Sequence, residues 1–185
     1  MPLGVDAGAD TSIKNMLAVL NEKGVFQVTA EEVGIAMGAL DHIDRFIAYE
    51  DAATQLTFDL EPLTQTWLDS AMLLGVHLEG RYSDGNWTAA TRFFQLDAKR
   101  YVLLSEADLI EQGGSVRLME ASLNFEVRQM PGTYLNVVGP DGTEQAQFTW
   151  FGPTKSFILT TSFSVTPNST LFHEVFDLAQ ALASP

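Results

Sequence analysis

Residues 122–165 read SLNFEVRQMPGTYLNVVGPDGTEQAQFTWFGPTKSFILTTSFSV, and their rhythm decides the fold. Leu123, Phe125 and Val127 alternate with Asn124, Glu126 and Arg128, the period of two that puts one set of side chains on one face of a strand. Pro131-Gly132 predicts a turn, and Tyr134–Val138 the next strand. Gly139-Pro140-Asp141-Gly142 is the strongest turn signal in the chain. Ala146, Phe148 and Trp150 then alternate with Gln145, Gln147 and Thr149, and Gly152-Pro153 turns again. Phe157, Leu159, Thr161, Phe163 and Val165 share one face of a last strand. Strands joined by such short turns are antiparallel neighbours.

Upstream, Thr91–Leu96, Arg100–Ser105 and Ser115–Glu120 are further β-like runs, so a meander of about five or six strands is expected over residues 81–166. Downstream, Pro167-Asn168-Ser169-Thr170 supplies caps. Phe172, Val175, Phe176, Ala179 and Leu182 follow at helical spacing and predict a closing helix over 168–183.

The first part reads as helical, residues 11–80, after a flexible leader over 1–10. Thr11 or Ser12 opens a helix running to about Glu22, with Ile13, Met16, Leu17 and Leu20 on one side. Thr29-x-x-Glu32 matches a capping box and opens a helix over residues 30–49. Leu56, Phe58 and Leu60 suggest a short strand. Pro62 then opens a helix over residues 63–78, apolar on two sides. Helices segregated from an antiparallel meander define an α+β fold, and residues 11–185 are expected to form one domain.

Composition narrows the function classes. The chain holds 24 acids against 10 bases, for a net charge of −14. Charged residues total 18%, below the usual ~25%, so the acidity comes from scarce bases rather than crowded acids. Direct nucleic-acid binding is not expected, because neutralising phosphates takes clustered Lys and Arg. No cysteine is present, which removes thiol nucleophiles, disulfides and Cys-type metal sites. The start MPLGVDAGADTSIK lacks the basic and apolar regions of a signal peptide, and the apolar run at Ala71–Leu78 is too short to span a bilayer. Membrane insertion is therefore not expected, and a cytoplasmic location is the default unless a signal has been removed.

Catalytic signatures are missing. There is no G-x-S-x-G elbow and no HExxH. Gly113-Gly114 lacks the Lys and helix start of a phosphate loop. No cofactor or metal motif is found. His42, flanked by Asp41 and Asp44, is the one candidate base for a small hydrolase. Asn86-Trp87-Thr88 and Asn168-Ser169-Thr170 fit a glycosylation tripeptide, which arises by chance in a chain this long.

Two features point to binding. Residues 24–80 hold ten acids and one base, Arg45, a net of −9. Asp41, Asp44, Glu50 and Asp51 lie in that stretch and would steer a basic protein partner, although a solvated helical face explains the same charges. The second feature is aromatic. Trp150 and Phe151 point to opposite faces of one strand, whereas a sheet covered on one side shows a polar second face. Either both faces are buried, or an aromatic face engages a partner or an apolar small molecule.

Residues 90–183 resemble two architectures. One is the sheet-plus-helix layout of PsbP-type domains, in which a strand such as Lys155–Val165 leads into a closing helix. The other is the curved half-barrel of periplasmic lipoprotein carriers. Both resemblances rest on the strand–turn–strand rhythm and imply a binding module rather than an enzyme. The expected function is therefore a non-enzymatic binding protein. The alternatives are a carrier of an apolar small molecule between sheet and helices, and a hydrolase using His42.

Overall fold

A computed structural model describes residues 45–111 and 123–183, with residues 18, 22, 26 and 27 besides. In chain order the elements are β1 (Phe26–Gln27), α1 (Tyr49–Ala53), β2 (Met72–Ser83), β3 (Asn86–Gln95) and β4 (Tyr101–Asp108). Then follow β5 (Phe125–Val127), β6 (Met130–Val138), β7 (Glu144–Phe151), β8 (Lys155–Thr161) and α2 (Thr170–Leu182). Seven of these strands, β2 to β8, pair antiparallel in one mostly β architecture, and β1 adds a short parallel pairing to the end of β6.

Two meanders meet at the centre. β2–β3–β4 and β6–β7–β8 are each joined by local connections, and the pairing of β4 with β8 fuses them. The main path runs β1-β6-β7-β8-β4-β3-β2, with β5 beside the start of β6.

Residues directly opposite each other share a face. One row across the sheet is Val76, Arg92, Leu104, Leu159, Phe148 and Tyr134. The next row on that face holds Ala90, Glu106, Phe157 and Trp150. This inner face carries the main core. α2 lays Val175, Leu178, Ala179 and Leu182 against it, and the ring of Phe172 meets Tyr134 and Phe125 edge-on. Burying Val175, Leu178 and Leu182 is worth roughly 1.5–3 kcal/mol each, enough to hold a helix of this length in place. The helix begins where Ser169 Oγ accepts a hydrogen bond from Phe172 N at 3.1 Å. A smaller core of Ala52, Leu56, Leu60, Val76 and Ala90 sits toward β2.

Several expectations need correction. The helix expected over residues 63–78 does not form: residues 63–71 run through turns, and Met72 begins a twelve-residue strand. The sheet thus starts before residue 81, and the described residues are mostly β with few helices, which is compatible with a broad α+β description. Leu74, Val76 and Leu78 alternate with Gly75, His77 and Glu79, and pairing with β3 decides in favour of that period of two. Leu56–Leu60 is no strand, and makes only a bridge between Leu56 and Trp87. Pro131 and Gly132 lie inside β6 rather than in a turn. The chain reverses at Arg128-Gln129 instead, both with positive φ. The leader over 1–10 lies outside the described residues, as does the run Ser115–Glu120. Of the helix expected over 11–22 only Ala18 and Glu22 are described, and both are helical; of the helix expected over 30–49 only residues 45–49 are described, and α-helix among them begins at Tyr49. The turns at Gly139–Gly142 and Gly152-Pro153 and the closing helix stand as read.

Candidate functional site

The inner face carries a charged cluster in an apolar setting. Glu106 on β4 is fully buried and ion-pairs with Arg92 on β3, itself 3% exposed. Its Oε2 accepts a hydrogen bond from Glu61 N at 2.9 Å and lies 3.9 Å from Lys155 Nζ. Lys155 also reaches Glu61 Oε1 at 2.5 Å, and its ammonium sits 5.1 Å from the centre of the Phe58 ring. Asp108 accepts from Thr57 Oγ1 at 3.2 Å. Burial pushes the Glu106 carboxyl above the ordinary glutamate range, and the Arg92 charge opposes that.

Apart from the pairs that Glu106 on β4 makes with Arg92 on β3 and Lys155 on β8, the contacts of this cluster tie residues 57–61 to the sheet. That segment has no regular structure, so its backbone groups find partners among side chains. The cluster is a clamp that fixes a loop. Arg92 Nε has no hydrogen-bond partner among the described residues.

The opposite, outer face holds a trough of about 330 Å³ where β2, β3, β4 and β8 run together. Its floor is built from small side chains, Ala89, Ser105, Ala107 and Ser156, with Ile158 at one rim and Glu79 at the other. Small residues in adjacent strands leave a depression because nothing fills the space above the pleat. Along β3 on the same face the floor gives way to Phe93, which is fully buried and stacked on Tyr101, with Phe46 close by.

Polar groups in the trough are chained. Thr91 Oγ1 donates to Glu79 Oε1, and Ser105 Oγ lies 2.6 Å from Thr91 Oγ1. A hydroxyl has one proton. With Thr91's proton given to the carboxylate, Ser105 donates to Thr91. The order Ser105, Thr91, Glu79 aims two hydroxyls at one anion. A register shift in β2 between Glu79 and Tyr82 adds to this. Gly80 there has φ +84°, and Arg81 N donates to Thr88 Oγ1 at 2.8 Å. Such bulges re-aim the neighbouring side chain and recur beside binding sites. Glu79 enters no ion pair among the described residues.

The residues singled out from sequence are dispersed. Glu50 and Asp51 stand exposed in the first turn of α1. Trp150 is fully buried and stacks on Phe157 at 5.3 Å, and Phe151 is 6% exposed on the other face. Asp41, His42 and Asp44 lie outside the described residues. Among the described residues no three His, Asp or Glu side chains gather as they would around a metal ion, and no helix is long and apolar enough to cross a membrane. Sequence reading missed Arg92, Glu106, Lys155, Glu79 and Thr91. The signal for the first two was a base inside TRFFQL and an acid inside YVLLSEADL. Charges in strands buried on both faces have to find each other. Comparison with known protein families, with characterised proteins and with solved structures finds no match to this chain.

Proposed function

We propose that the chain is a non-enzymatic binding module whose acidic surface meets a basic protein partner. The observation that carries this reading is how the bases are spent. Arg92 and Lys155 are taken up by Glu106 and Glu61, Arg100 pairs with Asp97, and Arg128 Nε donates to the Gln180 carbonyl at 2.8 Å. The exposed carboxylates of Glu50, Asp51, Glu174 and Asp177 have no ion-pair partner among the described residues. Arg45, Arg81 and Lys99 are also exposed, but exposed carboxylates outnumber the exposed bases among the described residues, so the outward field is net negative. Such a field speeds encounter with a basic surface and repels an acidic one.

Titration calorimetry with a lysine-rich peptide tests it. Affinity is expected to fall steeply as NaCl rises from about 0.1 M to about 1 M, which shortens the screening length from ~10 to ~3 Å. Reversing charge at Glu50→Lys with Asp51→Lys is expected to weaken binding further at low salt. Undetectable binding, or affinity indifferent to both changes, would overturn the proposal.

A further inference from the structure

We infer that the outer-face trough is a receptor for one alkylammonium group, held by Glu79. The inference deepens the basic-partner reading and rests on it, giving it a defined point of capture. Three observations converge. The trough has room for a ligand, about 330 Å³, at the lower end of the range of small-molecule pockets. Its floor of Ala89, Ala107, Ser105 and Ser156 offers methyl and methylene groups for an unbranched alkyl arm to lie on. Its rim carries a half-buried carboxylate with no ion-pair partner among the described residues, although Arg81 stands two residues away on the same strand.

The chemistry selects the ligand. Thr91 donates to Glu79 and Ser105 to Thr91, which fixes the position of Oε1. Oε2 makes no hydrogen bond within the described chain, so it presents an acceptor to the trough. An anion would be repelled by Glu79 and by the net charge of −14. A neutral apolar ligand would leave the carboxylate without a partner, at a cost. A compact ammonium on a flexible stem meets both the anion and the apolar floor. A planar guanidinium needs two acceptors in one plane, and one of the two oxygens here is already engaged. Lysine is therefore favoured over arginine.

Amide-resolved NMR of the intact chain tests this with three probes: n-butylammonium, a lysine peptide and the matching arginine peptide. Both ammonium probes are expected to shift the amides of Gly80, Ala89, Ser105 and Ala107, the arginine peptide less so. Glu79→Gln is expected to weaken the ammonium probes by about tenfold, the value of one charge-assisted bond. Ala107→Leu fills the floor without touching the carboxylate and is expected to do the same, which covers the case in which Glu79→Gln disturbs the strand. A response to the peptide but not to butylammonium would assign the site to protein lysines rather than free amines. Peptide binding that persists unchanged in both variants, with shifts only around Glu50 and Asp51, would overturn the trough while leaving the acidic-surface reading standing. Absence of peptide binding altogether would overturn both.

Discussion

At the scale of single residues, the most consequential contact is the buried pair Arg92–Glu106. Taking two charges out of water costs several kcal/mol per ion, and only good geometry with full hydrogen bonding returns it. Here the geometry is incomplete, since Arg92 Nε has no hydrogen-bond partner among the described residues. Arg92→Met alone strands Glu106 as a buried anion and is expected to cost roughly 3–5 kcal/mol in urea unfolding. Arg92→Met with Glu106→Leu removes both charges, takes the acceptor from the Glu61 N–H, and leaves Lys155 with Glu61 as its remaining ion-pair partner. The double variant is expected to return to within about 1–3 kcal/mol of the parent. Additive losses in the double variant would contradict this account. The pH dependence follows from the direction of the shift. Glu106 is raised by burial, so the native chain holds its proton more tightly than the unfolded chain does. Ionisation of Glu106 thus removes stability as pH climbs from the ordinary glutamate range through the raised value, and the cost is fully present above it. The gap between double variant and parent should accordingly be most favourable to the variant at neutral pH and shift toward the parent as pH is lowered. Unfolding midpoints across that range check it.

At the scale of elements, glycine and proline carried the ambiguity. Pro131-Gly132 looks like a turn, yet Gly132 pairs with Phe125 inside a ladder. The reason for the glycine is contact: a Cβ there would lie 2.5 Å from the Thr149 carbonyl oxygen. A sequence does not separate a glycine kept for a turn from one kept for close approach. The true reversal at Arg128-Gln129 has φ of +49° and +66°, both in the left-handed region. Two-residue hairpins favour that geometry because it matches strand twist, but side chains with a Cβ resist it by about 1–2 kcal/mol each. Gln129→Gly is therefore expected to stabilise the protein by about 1 kcal/mol after the entropy that glycine loses on folding. Arg128 is left in place in that test because its Nε holds the Gln180 carbonyl. A lower thermal midpoint for Gln129→Gly would show that the turn is not strained. The opposite error occurred at β2. Asp84-Gly85, with φ of +51° and +92°, is a strong hairpin signal that marks the strands on either side. A helix reading over residues 63–78 hid it, because Leu68, Met72 and Val76 also fit a period of about 3.6.

At the scale of the whole molecule, the sheet from Tyr134 onward and α2 were legible because local signals agreed with each other. Alternation, turn residues and cap all pointed one way, and each is a short-range cause. The clamp and the trough were not legible. Arg92 and Glu106 lie 14 residues apart, and Lys155 lies 94 from Glu61; only sheet order brings them together. The trough likewise arises where four strands converge, and no single strand encodes it. Net charge, in contrast, needs no fold to be read, and it has a consequence for stability. A chain at −14 repels itself when compact, and expansion on unfolding relieves part of that repulsion. The chain has 10 bases against 24 acids, and two of those bases, Arg92 and Lys155, are committed to pairs with Glu106 and Glu61. Raising NaCl from about 0.01 M to about 0.15 M shortens the screening length from ~30 to ~8 Å and should weaken the long-range repulsion more than the buried pairs. The thermal midpoint is therefore expected to rise, at about 2–4 °C per kcal/mol relieved in a chain of this size. Tetramethylammonium chloride should raise it as much as NaCl does, because screening depends on ionic strength rather than on ion identity. A rise with NaCl alone would mean that sodium binds a specific site. A fall with both salts would mean that surface ion pairs such as Arg100–Asp97 outweigh the repulsion, contrary to the small value of exposed pairs.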